Sequence, residues 1–208
     1  MVAADNHEGA RLMSNEQFRS FIAIELSDEV KSGLRQLQAE LKSPGHIFVK
    51  WVATEGIHLT LKFLGNISPQ KVSEITRVIE QATAGVSPFR LKVSEVGGFP
   101  NLRQPRVLWV SVGGEVEKLL VLQQRIDNGL VPLGFAKEAR PFTPHLTLAR
   151  VREGALSQDR QVFGEMVTKK SPKIDYEMAV EGVNLMRSQL LPTGAVYSRL
   201  AELKLKQS

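Results

Sequence analysis

The 208-residue chain contains no cysteine. Disulfide frameworks, thiolate metal sites, iron–sulfur clusters and a cysteine nucleophile are thereby excluded. Nothing calls for an oxidising compartment, so a cytoplasmic location is expected. Histidine is scarce at 4 residues, so imidazole chemistry has to come from very few positions. No run of about 18 apolar residues occurs, so no transmembrane helix is expected. The first 17 residues, MVAADNHEGARLMSNEQ, lack the apolar centre of a secretory signal. They are expected to be a flexible extension ahead of one domain over residues 18–208, and the sequence does not choose between Met1 and Met13 as the start.

What is present is an ordinary globular composition, 42% hydrophobic and 24% charged. Lys+Arg is 27 against Asp+Glu 22, a net charge of +5. A mildly basic surface favours polyanions such as RNA or nucleotides, although charge alone is a soft signal.

Alternation and punctuation give the element order. Residues 18–26, FRSFIAIEL, read as a strand. Ser27 caps a helix over 28–41, with Val30, Leu34, Leu37 and Leu41 at helical spacing. Ser43-Pro44-Gly45 ends it, and 49–52 is a short extended piece. Residues 57–64 read as a strand, and a second helix runs from Pro69, at its first helical position, to about Ala84. Strands follow over 89–96 and 106–112, then a helix over 115–130. A strand over 145–151 and a helix over 157–167 come next. Two last strands, 174–186 and 196–204, are joined by a turn at Pro192-Thr193-Gly194. The strand–helix order repeats, which predicts an α+β, bilobal body. Its two pseudo-symmetric lobes each carry an antiparallel sheet flanked by helices, around a central cleft.

The tetrapeptide HLTL occurs twice, at 58–61 and 145–148, and uses half of all the histidines. In a strand, residues two apart share a face. His58 and Thr60 therefore face one way, as do His145 and Thr147, while the leucines between them enter the core. Taken singly, either copy is an ordinary half-buried strand with a packed histidine. Packing does not require the same polar pair twice, and an imidazole–hydroxyl pair on each side of a groove suits phosphoester chemistry. One ring accepts a proton, the other donates one, and the hydroxyls hold non-bridging oxygens. Two histidines without a carboxylate or thiolate partner make a poor zinc site, so no metal and no cofactor are expected.

These copies resemble the paired H-x-[ST]-x motifs of the 2H phosphoesterase superfamily. FRSFIAIEL, VKWVATEGIHLTLKFLGNI, FPNLRQPRVLWVSV and RPFTPHLTLAR are similar to the bacterial and archaeal RNA 2',3'-cyclic phosphodiesterase family, also called the 2'-5' RNA ligase family. The resemblance implies hydrolysis of a 2',3'-cyclic phosphate at an RNA 3' end to a 2'-phosphomonoester, without a metal. It implies His58 as proton donor to the leaving 3'-oxygen, His145 as the base that activates water, and Thr60 and Thr147 as phosphate holders. The partner is then RNA with a cyclic phosphate end, with no membrane and a monomeric chain.

Further candidates are cationic. Arg150 follows the second motif at the strand end, on a side shared with neither His145 nor Thr147. It reads as a phosphate contact or as a solvated strand end. Arg140 precedes the motif in a loop within reach of RNA. Lys62 falls on the side of His58 and Thr60, either raising the cleft potential or closing a rim ion pair. Phe63 and Trp109 are expected in the core, and Trp51 and Phe99 either stack a base or are buried. His46 and His7 are bystanders. The same site would also serve 2'-5' joining of RNA ends or cleavage of 2'-5' oligonucleotides. A non-catalytic RNA-end binding module is the remaining alternative, disfavoured because a pure binder needs cations more than titrating imidazoles.

Overall fold

Local signals place the first elements. In a computed structural model, which describes residues 16–43, 45–192 and 194–206, strand β1 spans Phe18–Glu25 and helix α1 spans Asp28–Leu41. Ser27 accepts a hydrogen bond from the Val30 N–H, and Asp28 and Glu29 sit in the first turn, where the helix dipole favours them. Val30, Leu34, Leu37 and Leu41 form the buried stripe. The expected flexible extension and His7 fall largely on residues 1–15, outside the described residues, as do Pro44 and Thr193 of the two expected turns.

The remaining strands are β2 (Val49–Trp51), β3 (His58–Ile67), β4 (Phe89–Phe99), β5 (Val107–Gly114), β6 (His145–Val151), β7 (Tyr176–Val180), β8 (Gly182–Leu191) and β9 (Gly194–Lys204). The remaining helices are α2 (Lys71–Thr83), α3 (Val116–Leu130) and α4 (Ser157–Lys170). Two antiparallel sheets result, in the orders β3-β1-β8-β9 and β2-β6-β5-β4-β7. Most of their buried apolar residues form one cluster that spans both sheets, and Phe21, Ala23 and Met186 form a second, smaller one. Among the described residues, no helix is long and apolar enough to cross a membrane.

The two sequence halves interleave to build the lobes. The first supplies β1 and β3 to one sheet and β2 and β4 to the other. Helix α1 leaves the four-stranded sheet and packs against β7 of the five-stranded one, whereas α3 leaves the five-stranded sheet and packs against β3 and α2. Gly129 of α3 lies so close to Val78 of α2 that an added Cβ would come within 2.7 Å of its methyl.

Two element boundaries correct the sequence reading. Helix α2 starts at Lys71, two residues after Pro69, because Pro69 and Gln70 form a turn in which the Lys71 and Val72 N–H groups donate to the carbonyls of Ser68 and Pro69. The single strand expected over 174–186 is two strands in different sheets. β7 pairs with β4, and β8 pairs with β1 and β9. At Glu181 the alternation slips by one residue, since Val180 and Val183 are both fully buried, and reading 174–186 as one strand passes over that slip. Gly182 permits it, since a Cβ there would meet the Leu203 carbonyl oxygen at 2.9 Å.

Candidate active site

Each HLTL copy carries a β-bulge at its last leucine. In β3, Lys62 pairs with Ile22 and Thr60 with Ala23, so Leu61 has no opposite number on β1. In β6, Ala149 pairs with Leu108 and Thr147 with Trp109, so Leu148 is the extra residue. A bulge inserts one residue and reverses the face of everything after it. Leu61 and Lys62 are consequently both buried, as are Leu148 and Ala149. The residue five positions after each histidine, Phe63 or Arg150, turns outward and lines the same cleft as the motif.

The bulges overturn three expectations. Lys62 does not share the face of His58 and Thr60. Its side chain is buried, and its ammonium lies 2.6 Å from Asp127 Oδ1, 2.6 Å from the Ala136 carbonyl and 3.4 Å from Glu138 Oε1. Phe63 is not a core residue but is 55% exposed. Arg150 shares the side of His145 and Thr147, because counting by twos holds only for a ladder without an extra residue.

Buried glutamines from the exchanged helices hold both bulges. Gln38 of α1 donates to the carbonyls of Val52 at 2.8 Å and Leu148 at 3.1 Å. Gln123 of α3 donates to the Leu61 carbonyl at 3.5 Å. Inside a core such groups have to be paired.

The two histidines are set in the same way. His58 Nδ1 lies 2.8 Å from the carbonyl of Gly56, and His145 Nδ1 lies 2.7 Å from the carbonyl of Thr143. In both copies the acceptor is two residues upstream. A carbonyl can only accept, so Nδ1 carries the hydrogen and Nε2 of each ring is left for chemistry. His58 stacks on Phe21 at 4.4 Å and meets the edge of Tyr197 at 5.1 Å. His145 meets Phe99 edge-on at 5.0 Å and has Trp109 at 6.3 Å. Gly97 makes room for that indole, since a Cβ there would come within 2.3 Å of the ring.

Burial lowers the His58 pKa from its ordinary value of 6.5, against the opposing pull of the Gly56 carbonyl and the Glu25 carboxylate. Glu25 sits directly across from His58 on β1. It is itself held by Asn184 at 2.7 Å and by Arg199.

All four motif residues, His58, Thr60, His145 and Thr147, line one open cleft of about 1530 Å³. Arg19, Arg106, Arg140, Arg150, Arg160 and Arg187 line it too, as does Lys62, whose ammonium is already engaged by Asp127; among the described residues the one carboxylate on the lining is Glu138. Sequence reasoning picked out Lys62, Arg140 and Arg150. It missed the other four, which arrive from distant segments, and the ring partners Phe21 and Tyr197. Phe99 lines the cleft, whereas Trp51 packs against Phe163 and His46 lies between Phe48 and Phe163, away from it. Among the described residues, no group of three or more His, Asp or Glu side chains is arranged to hold a metal ion. The cleft can therefore grip an anion with guanidinium and hydroxyl groups and move protons between two imidazoles.

Comparison with known proteins agrees with this layout. The chain is 33% identical over 189 residues to an RNA 2',3'-cyclic phosphodiesterase of Methanothermobacter thermautotrophicus, covering 90% of this chain and 98% of that one. It is 33% identical over 187 residues to the protein of that name from Thermotoga maritima, covering 88% and 94%. Among solved structures, Escherichia coli LigT complexed with 3'-AMP superposes with a TM-score of 0.74 at 25% identity, covering 92% of this chain and 100% of that one. A Thermus thermophilus protein superposes at 0.73 with 29% identity, covering 90% and 97%. The family model described as LigT like Phosphoesterase matches twice, over residues 24–109 and 112–197, one match for each histidine motif. The chain belongs to the LigT-like phosphoesterase family.

Proposed function

We propose that this protein opens 2',3'-cyclic phosphates at RNA 3' ends and leaves a 2'-phosphomonoester, without a metal. The observation that carries the reading is the duplicated histidine setting, in which each ring commits Nδ1 to the carbonyl two residues upstream and keeps Nε2 for the cleft both rings line. The names of the Methanothermobacter and Thermotoga relatives support the substrate class.

In this mechanism His145 Nε2 takes a proton from water as the water oxygen bonds to phosphorus. The bond from phosphorus to O3' breaks, and His58 Nε2 gives its proton to that oxygen. The products are a 3'-hydroxyl and a 2'-phosphate, and the two rings have exchanged charge states, so solvent resets them. Thr60, Thr147 and Arg150 hold the non-bridging oxygens, where charge accumulates in the transition state. The order of donor and acceptor follows the family resemblance. Lys62 is left out of the phosphate contacts, since its ammonium is occupied by Asp127, Ala136 and Glu138.

The test is single-turnover hydrolysis of cyclic-phosphate RNA by His58→Ala and His145→Ala, each checked for folding by circular dichroism. General acid–base steps are worth about 10²- to 10⁴-fold. Each variant is expected to lose at least the lower figure, and a folded variant of either kind with full activity contradicts the mechanism.

A further inference from the structure

A second groove of about 520 Å³ opens off the reaction cleft, and the two share Arg106, Arg150 and Arg160. Lys50 and Arg152 line only the second groove, whose single carboxylate is Glu153. Ion pairs engage many cations elsewhere in the molecule, among them Lys62, Arg90, Lys92 and Arg199. Among the described residues, none of the five groove cations is in one. Arg160 donates only to the backbone carbonyl of Glu153, at 3.3 Å, and its Nε is shielded without a partner.

The pairing of β2 with β6 sharpens the point. Lys50 lies directly opposite Arg150, and both are exposed. Residues directly opposite in an antiparallel pair share a face, and like charges there repel. An anion lying over the pair removes that cost.

Resting on the function proposed above, we infer that this groove carries the RNA backbone immediately 5' of the cyclic phosphate. The terminal nucleotide occupies the cleft. The chain leaves it past Arg106, Arg150 and Arg160, and its next phosphates lie along Lys50 and Arg152. The preferred substrate is then an oligoribonucleotide and not a cyclic mononucleotide.

The test compares a 2',3'-cyclic mononucleotide with a hexanucleotide ending in the same group, for the wild type and for the K50Q/R152Q variant. A charge-matched control is R77Q/K173Q, whose two positions are exposed and line neither groove. KM for the hexanucleotide is expected to rise about tenfold in K50Q/R152Q. The slope of log KM against log salt should fall by about 1.4, which is 0.7 for each lost single-strand phosphate contact. Mononucleotide kinetics and the control variant should not change. An unchanged hexanucleotide KM, or an equal loss in the control, overturns the inference. If the wild type hydrolyses neither substrate, the proposed function fails, and anisotropy of a labelled 3'-phosphorylated hexanucleotide tests the groove alone. Weaker binding to K50Q/R152Q than to the control then supports the groove, and equal binding overturns it.

Discussion

The Gln38 side chain reaches from helix α1 to the carbonyl of Leu148 at 3.1 Å, the bulged residue of the second histidine motif, and Gln123 stands in the same relation to Leu61 of the first. Each motif is therefore braced by a helix that the opposite sequence half would be expected to keep for its own sheet. The brace holds the bulge, and the bulge decides which side chains face the cleft. Gln38→Leu should cost about 1–3 kcal/mol, since it leaves the Val52 carbonyl without its buried donor. At a chain length near 200 residues, that lowers Tm by roughly 2–4 °C per kcal/mol, measurable by calorimetry. Turnover should fall along with stability. The Gln123→Leu loss should be smaller, because its bond to Leu61 is 3.5 Å long.

Lys62 separates a structural cation from a substrate contact. Its side chain is 3% exposed and that of its partner Asp127 is 13% exposed. Removing one member of a buried pair strands the other, at a cost of about 3–5 kcal/mol. Lys62→Met should destabilise by that order in a denaturant titration, and the folded fraction should keep its KM. The Lys62→Met/Asp127→Leu double variant should recover much of the loss. A raised KM without destabilisation would restore Lys62 to the substrate.

Most strand spans and the paired motif were legible in the residues, but the division of 174–186 into β7 and β8 and the facing of the side chains after the motif were not. The Ser27 cap and the spacing of Val30, Leu34, Leu37 and Leu41 define α1, and HLTL marks both histidine strands. Counting by twos from His58 and His145 misplaces Lys62, Phe63 and Arg150, because a bulge leaves no compositional mark. The cleft's charge was half hidden for a different reason. Arg19, Arg106, Arg160 and Arg187 lie far apart in the chain and meet only through the interleaved sheets.

Arg150 should count for more than its place at a strand end suggests. A charge-assisted hydrogen bond contributes about 1.5–3 kcal/mol, and each 1.4 kcal/mol is about tenfold in affinity. Arg150→Ala should raise KM by at least tenfold, with Arg150→Lys in between, because a lysine cannot reproduce the bidentate grip. Arg140→Ala, on an exposed loop, should have a smaller effect in the same steady-state assay.

His58 also fixes a pH dependence. In the proposed mechanism His58 is the donor and has to carry its proton in the free enzyme, so kcat/KM should fall as pH rises through the His58 pKa. Burial places that pKa below 6.5, so the decline starts on the acid side of the ordinary imidazole value. Phe21→Ala opens the ring to water and should move this limb to higher pH, while Glu25→Gln removes a stabilising charge and should move it lower. Stability runs with the opposite sign. The unfolded ring binds its proton more readily than the folded one, so the contribution is present above pH 6.5 and lost as pH falls through the folded value. Thermal melts across pH 5 to 8, taken as the difference between wild type and His58→Gln, read it directly, since His46, whose pKa is also lowered by burial, contributes equally to both.

The proposed reaction is a regiospecific, metal-independent opening of a cyclic phosphate by the two imidazoles. Its most direct test is incubation of a short RNA ending in a 2',3'-cyclic phosphate with the protein in EDTA, followed by identification of the new end. A 2'-phosphate and a free 3'-hydroxyl are expected, formed by the wild type and by neither His58→Ala nor His145→Ala. A 3'-phosphate product, or activity that vanishes in EDTA and returns with a divalent ion, would contradict it.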